Sequence, residues 1–353
     1  MFDALDGSLL WWASANADGD AANVVGTYDA GLKYSVVSQI RTIDRDSDGL
    51  VDHLYFGDLG GQLWRIDLNN KAKTNQNLFA RTPTRLLNLN NNAKSPRFYE
   101  APAFSTYSLD GTIFGAVTIG SGNRSAPLVD YTVGEEGRDY DAVYNIYDKD
   151  VARGNLLTLV PKSSTDNTLK YALADVDLYT KNVTLQAEDV SGITTDSAHK
   201  LLGLTDTNRF SITTRLAPYA STQGWYYKFK SYKLQSEKVM STPIVINNDV
   251  YITTFDGSKN GLAGDCGAGV KGESFMTLMC MPYGQCNGGS ASTYRLNLGA
   301  GIVGGAVGAG DGTGMQRLIV ANVDTTGMSD NEILKRRYMT ANQLTPQRWY
   351  DRR

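Results

Sequence analysis

Residues 44–52 read Asp44-Arg45-Asp46-Ser47-Asp48-Gly49-Leu50-Val51-Asp52, four carboxylates in nine positions. Calcium is a hard cation that takes six to eight oxygens. Asp side chains at loop positions one, three and five converge on one point when the chain curls, and Gly49 permits the sharp turn at position six. Leu50 would then offer its backbone carbonyl, and Asp52 would close the ring. The predicted metal ligands are therefore Asp44, Asp46, Asp48, Leu50 and Asp52, and the predicted cofactor is Ca²⁺. Four carboxylates this close repel one another strongly without a cation. Mg²⁺ suits the loop less, because it keeps its waters and demands octahedral geometry. Where an EF-hand places its bidentate Glu, this chain has Tyr55. The flanks are not helical either, so the expectation is a calcium loop between β-strands. The ion would either pin a corner of the fold or regulate it.

No other group of residues offers comparable chemistry. Asn16-Ala17-Asp18-Gly19-Asp20 is shorter, lacks the later ligands and reads as a turn. Gly299-Ala300-Gly301-Ile302-Val303-Gly304 fits G-x-G-x-x-G, but more glycines follow it instead of a helical pattern. Close packing of strands explains these glycines better than nucleotide binding does. The two histidines, His53 and His199, lie far apart, and neither sits in a nucleophile motif. Asp249 and Asp256 flank a strand-like run with nothing to pair them for acid–base work. Cys266, Cys280 and Cys286 fall within 21 positions, with no His nearby to complete a metal site. A disulfide in an exported protein is the preferred reading, with the pairing open. The expectation is a protein that is not an enzyme.

Strand-like elements must position the acidic loop. Gly7-Ser8-Leu9-Leu10-Trp11 and Gly60-Gly61-Gln62-Leu63-Trp64 are both G-x-x-L-W, 53 residues apart. Leu63 to Leu68 resembles Thr293 to Leu298, each with apolar residues on alternate positions. Phe114 to Ile119 and Leu318 to Ala321 are further strand-like runs. Thr242 to Ile246 leads through Asn247-Asn248-Asp249 into Val250 to Phe255, which reads as a hairpin. Strand, turn and aromatic phrases spaced roughly 40–55 residues apart mark propeller blades, and this length holds about seven. Residues 122–240 repeat poorly. Polar stretches at Ser163 to Thr168 and Ala187 to Ser197 read as insertions. Ser329-Asp330-Asn331-Glu332 is a capping box, followed by Ile333, Leu334, Arg336, Arg337 and Met339, which predicts a short C-terminal helix. The expectation is an all-β chain forming one propeller domain over 1–353.

Composition agrees with a globular β protein. Glycine contributes 36 of 353 residues, above the usual share of roughly 7%. The net charge of −3 marks no basic surface for nucleic acid. No run of eighteen or more apolar residues is present, so no transmembrane segment is expected. The opening Met1 to Gly7 has neither a basic n-region nor an apolar h-region. It reads like the middle of a strand and turn, which suggests a fragment of a longer exported protein.

The run Asp44–Asp52 followed by Leu54-Tyr55-Phe56-Gly57-Asp58-Leu59-Gly60-Gly61-Gln62-Leu63-Trp64-Arg65-Ile66-Asp67-Leu68 resembles the C-terminal propeller of the PilY family of type IV pilus assembly proteins. Thr118-Ile119-Gly120-Ser121-Gly122-Asn123-Arg124 is similar to the family's G-[ST]-G-x-R turn. Gly224-Trp225-Tyr226, Glu237 to Pro243, Val250 to Phe255 and the cysteine-bearing stretch continue the likeness, which covers most of the chain outside about 150–210. The resemblance implies a modified, quinoprotein-like β-propeller of about seven blades with loop insertions. It implies a calcium site that controls pilus extension and retraction, with roles in twitching motility and surface attachment. It places the protein at the cell surface or pilus tip, in the outer membrane or in the periplasm of a Gram-negative bacterium. Minor pilins and host or abiotic surfaces are its implied partners. The chain departs from the family in lacking the N-terminal von Willebrand A-like region and any Arg-Gly-Asp triplet. Two other readings compete: a quinoprotein dehydrogenase using pyrroloquinoline quinone, and a generic protein-interaction propeller.

Overall fold

Alternation of apolar residues becomes strands wherever turn-forming residues let the chain reverse. In a computed structural model, the described residues are 1–16, 25–71, 79–81, 83–109, 112–134, 140–148, 151–152, 156, 224–229, 234–262, 269–282, 284, 294–308, 315–320, 330–336 and 338–339. Strands β1 (Trp11–Ser14) and β2 (Val25–Tyr28) pair in parallel. Next, β3 (Arg41–Ile43), β4 (His53–Gly57), β5 (Gln62–Asp67) and β6 (Thr84–Asn88) form a four-stranded antiparallel meander. After them come β7 (Ala103–Leu109), β8 (Thr112–Gly120), the short β9 (Tyr131–Thr132), β10 (Ala142–Asp148), β11 (Gly224–Lys228) and β12 (Leu234–Gln235). The order β11-β10-β8-β7 makes a second four-stranded sheet, and β9 pairs with β12.

A third sheet holds β13 (Glu237–Val239), β14 (Ile244–Ile246), β15 (Asp249–Asp256), β16 (Glu273–Cys280) and β17 (Arg295–Ala300). The last sheet comprises β18 (Gly305–Gly308), β19 (Met315–Val320) and β20 (Tyr338–Met339), with helix α1 (Glu332–Lys335) before β20. The fold is all-β, and its larger sheets are antiparallel. No sheet closes on itself among the described residues.

Apart from the small β9–β12 pair, each sheet shares an apolar layer with the next in chain order. Trp11, Phe56, Trp64 and Phe79 lie in one core cluster with Ile66 and Leu68. Tyr55, Leu63, Leu87 and Phe98 meet Ile119, Tyr144 and Tyr226 of the second sheet. Phe114, Tyr147 and Trp225 meet Val239, Ile252 and Met279 of the third. Tyr251, Leu278 and Leu296 meet Ile333 and Tyr338. Burying both faces of a sheet removes the polar alternation of a half-solvated strand. All six residues of β5, and all of β10 and β15, are buried.

The G-x-x-L-W phrase now has a physical reason at its second copy. Buried Asp58 accepts N–H bonds from Gly60 and Gln62 through Oδ1, at 2.9 and 3.0 Å. Its Oδ2 accepts from Gln62 Nε2 and Trp64 Nε1, at 2.9 and 3.0 Å. One carboxylate thus fastens both the β4–β5 turn and the tryptophan. Gly61 adopts φ +77, and a Cβ there would meet the Pro96 carbonyl oxygen at 2.9 Å. In the first copy the position matching Asp58 is Leu5, and Trp11 begins a parallel pair instead. The hairpin at 242–255 forms as expected, with Ile246 opposite Asp249 and Asn247 at φ 53, which Asn tolerates.

The C-terminal helix is shorter than the sequence suggests. It ends at Lys335, and Met339 belongs to β20. Ser329 and Arg337 lie outside the described residues; Asn331 caps the turn, its Oδ1 accepting Ile333 N–H at 3.0 Å. Packing of Tyr338 against the third sheet overrides helical propensity here. Its hydroxyl donates to Asp249 Oδ2 at 2.7 Å and is hydrogen-bonded to the Tyr251 hydroxyl, while Arg336 Nε lies 3.2 Å from the same carboxylate oxygen.

A buried charge chain joins the first two sheets. Arg65 NH1 reaches Asp148 Oδ1 and Oδ2 at 2.5 and 2.6 Å, across 83 residues of sequence. Arg65 Nε lies 2.9 Å from Asp67 Oδ1, and His53 Nδ1 lies 2.6 Å from the same oxygen. Tyr55 donates its hydroxyl to Asp148 Oδ2 at 3.0 Å.

Arg65→Met should cost about 3–5 kcal/mol in urea unfolding, because it strands two buried carboxylates. Arg124→Ala, which loses only the Glu100 pair of a 55% exposed arginine, should cost under ~1 kcal/mol. Equal losses would contradict the assignment. Burial pushes the Tyr251 hydroxyl from 10.0 up to about 12, and burial with the Tyr251 and Asp249 bonds also pushes Tyr338 up. The folded chain therefore keeps protons that the unfolded chain releases above about 10. Stability should fall as pH rises from about 10 toward about 12, with a shallower slope in Tyr251→Phe/Tyr338→Phe.

Candidate metal centre

The acidic loop connects β3 to β4, and strand register closes its base. Ile43 pairs with His53, and the Asp52 N–H donates to the Ile43 carbonyl at 2.8 Å. Between these points the loop folds on its own carboxylates. Asp44 accepts the Ser47 and Gly49 N–H groups, at 2.7 Å through Oδ1 and 2.9 Å through Oδ2. Asp48 Oδ1 accepts the Leu50 N–H at 2.8 Å. Side chains that mimic a backbone turn in this way make Asp a loop former as well as a ligand. Ser47 at φ 60 and Gly49 at φ 89 turn the chain inward. No atom lies within 4 Å of a Cβ built at Gly49, so its backbone conformation, not space, calls for glycine.

Asp44, Asp46 and Asp48 converge as the spacing predicts. One oxygen from each lies within 4.8 Å of the other two. Oxygens on opposite sides of one calcium ion, each at about 2.3–2.6 Å, stand about 5 Å apart, so the set suits a single cation. Asp46 Oδ1 is buried without a hydrogen-bond partner among the described residues. A carboxylate oxygen shielded from water and lacking a donor is costly unless a cation satisfies it. The hard, all-oxygen donor set fits Ca²⁺.

The other two predicted ligands are placed differently. The Leu50 side chain is half exposed, and its N–H is spent on Asp48. Asp52 is buried and stands outside the three-carboxylate cluster. Its Oδ2 accepts the Arg45 N–H at 2.7 Å, and its Oδ1 accepts Asn70 Nδ2 at 3.0 Å. Burial raises the Asp52 pKa, opposed by the Arg45 bond and His53 and reinforced by the charges of Asp46 and Asp48. Asn70 was not signalled by the sequence, because it lies 18 positions from Asp52 in no recognisable motif.

Among the described residues, the remaining candidates do not gather into a second site. Buried His53 is engaged with Asp67. Asp249 and Asp256 stand at opposite ends of β15, the first held by Tyr338 and the second by Ser258. Cys280 is disulfide-bonded, whereas Cys266 and Cys286 lie outside the described residues, as do His199 and Asp18 to Asp20. Gly299 and Gly301, at φ +96 and +83, belong to strand ends and turns, and β18 follows them.

No protein-family profile matches the chain, and no curated protein matches it. A solved structure, the Pseudomonas aeruginosa PilY1 C-terminal domain, is similar at 14% identity and a TM-score of 0.46 over 80% of this chain. The chain spans 58% of that structure's length, and the relationship is distant. Among the described residues, no helix is long and apolar enough to cross a membrane.

Calorimetry on chelator-treated protein should give a calcium Kd between roughly 10⁻⁷ and 10⁻³ M. Asp46→Ala should weaken it by at least about tenfold, on the scale of one lost charged ligand. Identical titrations of the two proteins would remove Asp46 from the site.

Proposed function

We propose that this chain is a calcium-binding, non-enzymatic part of a type IV pilus biogenesis factor or pilus-tip adhesin, built as a quinoprotein-like β-propeller of about seven blades. The observation that carries the reading is the convergence of Asp44, Asp46 and Asp48, where Asp46 also has a buried oxygen with no hydrogen-bond partner among the described residues. Two further features support it: the sheets stack in chain order through shared apolar layers, as blades do, and the run from Asp44 to Leu68 resembles the PilY family. In this reading Asp44, Asp46 and Asp48 hold the ion, the Leu50 carbonyl is the next donor, and Asp52 completes or supports the set. Calcium offsets the repulsion among the carboxylates and holds the loop in one arrangement. Its loss leaves like charges together, shifts the loop and changes contact with pilus components such as minor pilins. The protein acts outside the cytoplasm, at the cell surface or pilus tip, with host or abiotic surfaces as adhesive targets.

In cells, Asp44→Ala/Asp46→Ala should abolish calcium binding and alter both pilus number and twitching. Lost binding with unchanged pili and motility would leave the ion a structural role only. Capture of minor pilins should require calcium and fail in chelator. The non-enzymatic reading has its own check: protein mixed with pyrroloquinoline quinone, calcium and a simple alcohol should reduce no dye. Turnover there would favour a quinoprotein dehydrogenase.

A further inference from the structure

The exit of the acidic loop is gripped by a side chain from beyond the neighbouring strand. Asn70 Nδ2 donates one hydrogen to the Val51 carbonyl at 3.1 Å and the other to Asp52 Oδ1 at 3.0 Å. Its own position is fixed by the sheet. Leu68 N–H donates to the Asp52 carbonyl at 2.7 Å, and Asn69 N–H donates to the Phe79 carbonyl at 2.6 Å. Leu68 forms an isolated bridge to Ala80, and its side chain is buried in the core shared by Trp11 and Trp64. The amide of Asn70 is therefore presented to the loop from a segment anchored in the sheet and core. It holds the segment Leu50-Val51-Asp52, which carries both remaining candidate donors. Asp44 and Asp48, in contrast, accept backbone N–H groups of the loop itself.

We infer that Asn70 is a positioning residue for the calcium site, acting through Val51 and Asp52 to hold the exit half of the loop ready for the ion. The inference rests on the calcium reading of Asp44, Asp46 and Asp48. Its physical basis is preorganisation. A carboxylate and a peptide already oriented by a neutral donor need not be ordered when the cation arrives, and outer partners of metal ligands change affinity accordingly. Asn70 is partly exposed, so its truncation leaves the apolar layers intact.

The test compares wild type, Asn70→Ala, Asn70→Ser and the control Asn69→Ala, whose side chain accepts the Lys71 N–H instead of touching the loop. Each is titrated with calcium by calorimetry and melted in chelator and in saturating calcium. The expected result is a Kd weakened about 10–100-fold in both Asn70 variants, with a smaller calcium-induced rise in melting temperature and an unchanged Kd in the control. A purely structural role would lower both melting temperatures equally and leave the Kd and the increment intact, which would overturn the inference. Absence of calcium binding in wild type would overturn the site itself and this inference with it. Wild-type binding with unaltered Asn70 variants would overturn the inference alone.

Discussion

Packing sheets face to face leaves no solvated side on which to put charge, and the Arg65 guanidinium is where this constraint is met. It sits fully buried between Asp67 on its own strand and Asp148 on the next sheet. Apolar layers on either side exclude water, so each charge depends on its partners for the solvation it has lost. Tyr55 and His53 extend the same chain of contacts along β4. The first two sheets are thus held by direction as well as by apolar area. An apolar layer tolerates sliding, whereas a guanidinium shared by two carboxylates accepts few registers.

The acidic loop is attached to this arrangement. His53, which faces Asp67, directly follows Asp52, and Asp52 closes the loop through Ile43, Arg45 and Asn70. The loop is thus tied to the sheet at its Asp52 end. At the other end, one carboxylate oxygen from each of Asp44, Asp46 and Asp48 lies within 4.8 Å of the other two. Such a local excess of negative charge is tolerable where part of it is exposed and a cation can enter. It would be far costlier at the Asp52 end, where that carboxylate is buried and its proton affinity is raised.

Local features were legible in the residues. The spacing of Asp44, Asp46 and Asp48 and the turn at Gly49 involve contacts only a few positions apart, so the pattern contains nearly all of their physics. The hairpin of β14 and β15 was legible for the same reason. Trp64 was visible as a repeated phrase, but its fastening by Asp58 was not, and the first copy at Trp11 takes a different pairing. At the C-terminus the helical pattern beyond Lys335 yields to β20, because Tyr338 gains a buried carboxylate and an apolar layer that an isolated turn cannot offer.

By itself, the order of residues determined that an acidic loop would lie between two strands, with its first three carboxylates brought together. Tertiary structure decided what each oxygen of that loop is free to do. Asp52 reads as a ligand in the pattern, and the fold adds what the pattern does not contain: its oxygens accept hydrogen bonds, one from Arg45 and one from Asn70 across 18 residues. Asp148 meets Arg65 across 83 residues, with no spacing to announce it. The reason is the same in both cases. A turn is set by neighbouring dihedrals and short side chains, whereas a contact between strands exists only once register and sheet stacking have brought distant residues together.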